Sequence, residues 1–528
     1  MMSGDPFNAF ALPARYNASR LLWDNLAERA DRPAYYCDDG VWTYRTLAQE
    51  AARIGNALLA LGAVPGDRVM MVMADVPRYP AAIMGAMRAG LVPILINTLS
   101  PPDLLRFYLE DSAATVAVLS PAFHSLFDRD FRAGTALKAV LVDGDAVLPG
   151  QTDWSVVRDA SAELAEAPTG PADMAFWMYS SGSTGRPKGV IHSHGDAIYT
   201  AETYGRHILK IGPDDICFSV PKVFFAYGFG NSVTFPMAVG AAAVLYSGRP
   251  DPAAIFQQIA KHRPTMLFGL PTLYTALMRH ADAEGADLSS VRLCLSAAEV
   301  LSAEISEAWA ARFGLNIVEG LGSTEMLHIY LSNTEEDRRV GSAGKVVPGY
   351  RVKLVKPDGS EAGDDEEGVL WAQGHSALAG YWNRPDKTSE TLRDGWVQTG
   401  DRFLRDADGF HYFRGRADDL VKVSGQWVYP LEIELALNEH PKVHEACVLA
   451  MEMPDRRMTI RAWIAPRDGL DGDAALEKEL QDYAKATLLP HKYPRRIVFL
   501  NALPKTGTGK IDRAGLRMLA EKSEGDGG

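Results

Sequence analysis

Apolar and polar positions along the chain follow two periods in turn, and their exchange predicts the architecture. Residues 20–30 and 47–61 carry apolar side chains at the spacing of one helix face, whereas 69–73 is a short continuous apolar run, as in a buried strand. The exchange continues with a helix over 80–89, a strand over 91–96, a helix over 101–111 and a strand over 116–119. It resumes with apolar runs at 174–179, 243–246, 265–268 and 291–295, and with helical patterns over 252–262 and after Pro271. Such alternation predicts parallel sheets covered by helices, an α/β fold of two layered units in one large domain. No segment repeats at a fixed period.

Beyond Gly341 the pieces shorten. Strand-like runs at 352–355, 368–371 and 409–413 lie among the turn signals Pro357-Asp358-Gly359, Asp394-Gly395 and Asp408-Gly409, which predicts a small antiparallel barrel or sheet. After Arg416-Ala417-Asp418-Asp419 comes an α+β pattern, with helices over 430–440 and 474–488 and strands around Val448 and Ile460. A chain of 528 residues exceeds one hydrophobic core. The boundary is therefore placed at Asp418, giving domains 1–417 and 418–528.

Charge and cysteine use narrow the function. A net charge of −13 argues against a general nucleic-acid binder, which needs basic surface to displace counterions. Cys37, Cys217, Cys294 and Cys447 form no C-x-x-C pair and read as buried thiols in a reducing compartment. No basic segment leads into an apolar one at the N-terminus, and Arg88 and Pro93 interrupt the apolar stretch 81–96. A cytoplasmic protein without stable membrane insertion is the expectation.

The candidate chemistry begins at Ser180-Ser181-Gly182-Ser183-Thr184-Gly185-Arg186-Pro187-Lys188-Gly189, directly after the apolar run 174–179. Glycines admit close backbone approach, the four hydroxyls donate hydrogen bonds and Lys188 adds a cation, a set suited to phosphate. Walker A spacing is absent, since Pro187 stands five positions after Gly182. Thr324-Glu325, after the strand-like run at 316–318, offers a hydroxyl and a carboxylate, and an oxygen ligand of this kind suits Mg²⁺. Further on stand Thr399-Gly400-Asp401, Gly415-Arg416-Ala417-Asp418 and Pro504-Lys505-Thr506-Gly507-Thr508-Gly509-Lys510. Lys510 stands on a glycine-rich loop, where a lone lysine would be solvated surface.

These strings together resemble the adenylate-forming superfamily, which includes acyl-CoA synthetases, nonribosomal adenylation domains and beetle luciferases. The resemblance covers nearly the whole chain. It implies an acetyl-CoA-synthetase-like architecture: a large domain of stacked α/β sheets with a small β-barrel, and a small mobile α+β C-terminal domain that pivots at Asp418. By position it assigns ATP or AMP binding to Ser180, Ser181, Gly182, Ser183, Thr184, Gly185, Lys188, Thr324, Glu319, Gly320, Leu321, Asp401 and Arg416. The segment Ser296-Ala297-Ala298-Glu299 adds Ala298 and Glu299, with alanine at 298 in place of the family's glycine. Lys510, Thr324 and Glu325 become the catalytic set, with Glu325 holding Mg²⁺. Lys422, Ser424, Gly425 and Trp427 fall on the side that meets CoA.

Lys222-Val223-Phe224-Phe225-Ala226-Tyr227-Gly228-Phe229-Gly230-Asn231, with Met326-Leu327-His328-Ile329, closely resembles the benzoate and hydroxybenzoate CoA ligases. That likeness implies a ring site lined by Ala226, Tyr227, Ala297, Gly322, His328 and Ile329. His328 is either a core histidine or a partner of the acid. The expected reaction joins an aryl acid to CoA with ATP and Mg²⁺, and a homodimer stays open. The rivals are a stand-alone adenylating enzyme that loads a separate carrier protein and a non-catalytic nucleotide-binding regulator.

Overall fold

The computed structural model describes residues 7, 10–180, 186–297, 299, 301–417, 421–423, 426–453, 458–467, 470, 472–488, 492–505 and 511–525. It divides into two compact units, one of residues 1–353, 371–398 and 406–412, the other of residues 354–370, 399–405 and 413–528.

The first unit carries two sheets. The seven-stranded sheet runs in the order Gly380–Tyr381, Lys188–Ser193, Met174–Ser180, Val92–Leu95, Arg68–Val72, Val116–Leu119, Ala139–Val142. Its last five strands are parallel and the first two antiparallel. The nine-stranded sheet runs Lys345–Val346, Ile329–Ser332, Ile317–Gly322, Leu293–Ser296, Met266–Gly269, Ile216–Ser219, Ala242–Val244, Pro33–Cys37, Gly40–Thr43. Its central strands are parallel and antiparallel strands close both edges. Val92–Leu95, Val116–Leu119, Met266–Gly269 and Leu293–Ser296 are buried along their whole length, which explains why the sequence shows continuous apolar runs there.

Helix Tyr44–Ala60 starts on a reciprocal Thr43/Thr46 cap and packs on helix Arg78–Arg88. The two cross at glycines: a Cβ on Gly85 would lie 2.1 Å from the Ala51 carbonyl oxygen. Periodicity did not foresee the π-helical turns Ala201–Ile208 and Gly230–Thr234, because a wide turn leaves no distinct apolar repeat.

In the second unit, Val443–Glu452 pairs antiparallel with Met458–Pro466, which pairs parallel with Arg496–Phe499. Helices Pro430–Asn438 and Ala474–Thr487 cover this sheet, close to their expected positions. Among the described residues no helix is long and apolar enough to cross a membrane.

Candidate active site

The strand that leads into the Ser/Gly loop forms as expected, over Met174–Ser180, and Lys188 opens the next strand as the cross-strand partner of Ser180. Ser181, Gly182, Ser183, Thr184 and Gly185 lie outside the described residues. Ser180 Oγ donates to Glu325 Oε1 at 3.2 Å, and the Tyr381 hydroxyl donates to the same oxygen at 2.9 Å. Lys188 Nζ stands 4.2 Å above the Tyr381 ring. Burial lowers the Lys188 pKa and the Glu325 charge opposes that shift. The fold thus brings Ser180, Lys188 and Glu325 together from positions far apart in sequence.

Thr324 and Glu325 occupy a single 3₁₀ turn, Thr324–Met326, tied down at each backbone carbonyl. His192 Nε2 donates to the Thr324 carbonyl at 2.8 Å, and its Nδ1 lies 2.8 Å from the Asp196 carboxylate. Leu378 N–H donates to the Glu325 carbonyl at 2.7 Å, and Ser376 Oγ to that of Met326 at 2.9 Å. Leu327 follows with φ of 65°, a conformation a branched side chain adopts only under constraint.

Ser296 and Glu319 are the last register partners of neighbouring parallel strands; Ala297 then leaves the sheet, while Gly320 and Leu321 continue their strand and pair antiparallel with Ser332 and Leu331. That edge is where open α/β sheets bind ligands. Burial pushes the Glu319 carboxyl up to about 7, opposed by hydrogen bonds from Leu301 N–H at 3.1 Å and Gly341 N–H at 3.3 Å. Ala298 lies outside the described residues, and Glu299 is in the segment that follows Ala297.

Ala226 and Tyr227 sit in the short helix Ala226–Phe229, and Gly322 pairs with Ile329 across antiparallel strands. His328 is buried among Tyr204, Tyr227 and Phe235, with ring centroids 5.3, 5.4 and 4.6 Å away. Its Nε2 is 3.4 Å from the Tyr227 carbonyl, and burial pushes its pKa down to about 3, so the ring is neutral at physiological pH. Gly230 makes room for it: a Cβ there would lie 2.5 Å from His328 Cδ2.

In the second unit Arg416 donates to Asp401 Oδ1 at 3.2 Å, across Gly400, whose φ is 77°. Thr399 Oγ1 accepts from Asp401 N–H at 3.1 Å, which closes the turn. Lys422 and Trp427 are cross-strand partners in the hairpin Val421–Val423 and Gln426–Val428. Asp418, Ser424, Gly425 and Lys510 lie outside the described residues. The flanks of the Lys510 segment are anchored: Lys505, to which the sequence assigned no role, bridges to Ile511 and ion-pairs with Glu445, and Arg513 pairs with buried Glu434 at 2.6 Å.

The model of the AMP-binding enzyme family matches residues 22–382, and that of the AMP-binding enzyme C-terminal domain matches 432–510. The chain belongs to the AMP-binding enzyme family. The benzoate–CoA ligase of Thauera aromatica is 43% identical over 516 residues, covering 96% of this chain and 97% of its own. Among solved structures, the anthranilate CoA ligase AuaEII with anthranoyl-AMP superposes with TM-score 0.92 at 35% identity, over 97% of this chain and 99% of that one. The benzoate CoA ligase of Burkholderia xenovorans LB400 gives TM-score 0.88 at 37% identity, over 95% and 100%.

For this AMP-binding enzyme, reading the sequence missed Tyr381, His192 and Asp196. Tyr381 had a signal in the aromatic pair Tyr381-Trp382 after Gly380. His192 and Asp196 had only the i, i+4 spacing of two polar residues, which many surface helices share.

Proposed function

We propose that the protein is an ATP-dependent aryl-CoA ligase acting on benzoate or a substituted benzoate. A carboxylate oxygen attacks the α-phosphorus of ATP, the bond to the β-phosphate breaks and pyrophosphate leaves. The CoA thiolate then attacks the carbonyl carbon of the aryl adenylate and AMP leaves. One observation carries the aryl assignment: a neutral, fully buried His328 walled by Tyr204, Tyr227 and Phe235, one turn beyond Thr324-Glu325. Uncharged, aromatic surroundings favour a flat ring over a long flexible chain. The likeness to ligases of benzoate and anthranilate supports the same reading.

Lys188 and the hydroxyls of the Ser/Gly loop take the phosphates, and Lys510 neutralises charge as the α-phosphate is attacked. Asp401 and Arg416 hold the ribose and phosphates. Glu325 would hold Mg²⁺, a hard cation that prefers oxygen ligands, since the two described side-chain donors to its carboxylate both use Oε1. Mg²⁺ bound there would neutralise phosphate charge. Rotation about Asp418 then brings Lys422, Ser424, Gly425 and Trp427 to the thioester-forming step.

The test is ATP-dependent pyrophosphate release over a panel of benzoates and of short and medium fatty acids, with and without CoA. Benzoates should be preferred and yield thioester with free CoA. A preference for fatty acids overturns the aryl reading, and adenylate without thioester points to a carrier protein as acceptor.

A further inference from the structure

Strand Arg68–Val72 leads to Asp75, whose carboxyl group is buried between the two sheets' connecting segments. Among the described residues one donor reaches it, the backbone N–H of Val223, at 3.3 Å from one oxygen and 3.4 Å from the other. The facing charge is Lys222, itself largely buried, whose ammonium donates to the carbonyl oxygens of Tyr246 at 2.5 Å and Gly248 at 3.3 Å. Burial raises the Asp75 pKa to about 6 and lowers that of Lys222, and each charge opposes the other's shift. Tyr79 of helix Arg78–Arg88 and Tyr35 of strand Pro33–Cys37 also feel the Asp75 charge, and burial keeps both hydroxyls protonated. The Tyr79 hydroxyl has no hydrogen-bond partner among the described residues.

A carboxylate buried on two long bonds from one amide is unfavourable for folding alone, and apolar side chains would fill the space better. Its location suggests what it does. Lys222 and Val223 begin the piece of chain that ends at Ala226, Tyr227 and Gly228. That piece is closed on itself: Phe225 N–H donates to the Lys222 carbonyl at 3.0 Å, and a Cβ on Gly228 would lie 2.0 Å from the same oxygen. Residues 222–228 therefore shift as one body, and Asp75 grips one end of it.

We infer that Asp75 and Lys222 form a buried electrostatic anchor that sets the position of residues 222–228 and thereby the affinity for the carboxylic acid substrate, Asp75 being a positioning residue. This rests on the reading of Ala226 and Tyr227 as walls of the acid site. Above its pKa the Asp75 carboxylate balances the Lys222 charge and accepts from Val223 N–H; below it, protonation weakens both interactions and the segment loses its anchor.

The experiment uses the full-length protein, with benzoate and ATP varied separately across pH. Asp75→Asn should raise the benzoate KM about tenfold while kcat and the ATP KM stay within about twofold. In the wild type the benzoate KM should climb as pH falls through about 6, and in the variant it should stay flat. Lys222→Gln, which keeps a donor for the Tyr246 and Gly248 carbonyls, should give the same selective rise and serves if Asp75→Asn does not fold. A folded variant with wild-type benzoate KM overturns the inference, as does a flat wild-type profile or an equal rise in both KM values. Loss of the aryl preference in the wild-type panel would instead refute the ring-site reading, and the selective KM shift would then be read with whichever acid is turned over.

Discussion

Gly230→Ala tests the proposed acid site most directly. The added methyl would lie 2.5 Å from His328 Cδ2, 2.8 Å from His328 Nε2 and 3.2 Å from Phe235 Cζ. Contacts that short force a neighbour to move, and His328 has little freedom because Tyr204, Tyr227 and Phe235 surround its ring. Overpacking a dense site by one methyl costs about 1–3 kcal/mol. If that strain is relieved by pushing His328 toward the acid, the loss is about 5-fold to 150-fold in kcat/KM for benzoate, at 1.4 kcal/mol per factor of ten. The ATP KM should stay near wild type, because the three atoms nearest the added methyl belong to His328 and Phe235 and not to Ser180, Lys188 or Glu325. Pyrophosphate release at saturating ATP measures the first quantity, and ATP titration at saturating benzoate the second. A folded variant that keeps wild-type kcat/KM for benzoate would refute the placement of His328 against the acid. An equal loss for ATP would mean that the methyl disturbs the whole unit rather than the ring site.

Lys510→Ala should abolish adenylate formation while thioester formation from supplied aryl adenylate and CoA survives; equal loss of both half-reactions would contradict a lysine used in one of them. Glu319 carries a pKa of about 7 in the fold against 4.5 for the free side chain, so the native state holds its proton more tightly. The stability this contributes is complete below pH about 4.5 and fades as pH rises through about 7, by roughly 3 kcal/mol for that shift. Denaturant titrations should show wild type losing that amount relative to Glu319→Gln over this range, and parallel pH curves would count against it. Gly85→Ala places a methyl 2.1 Å from the Ala51 carbonyl oxygen and should destabilise the folded protein by about 1–3 kcal/mol or more, read as a lower thermal midpoint.

Much of the fold was legible in the sequence because burial on both faces of a parallel strand leaves an uninterrupted apolar run, as at Val116–Leu119 and Leu293–Ser296. The Ser/Gly loop, the Thr324-Glu325 pair and the segment around Tyr227 were legible as strings. What they touch was not. Nothing in the order of residues says that Ser180 and Tyr381 meet at one oxygen of Glu325, or that His192 holds the Thr324 carbonyl.

The sequence by itself determined the alternation of elements, the family and the residue types available for phosphate and acid. Tertiary structure alone decided the protonation of the buried groups. In the sequence His328 is either a core histidine or a partner of the acid until three aromatic rings are seen to exclude water from it, and nothing marks Asp75 until Val223 N–H is found on its buried carboxylate. Periodicity records how often a chain returns to the same face, which is a local property. Desolvation and charge pairing depend on which distant segments arrive together, and only the folded packing specifies that.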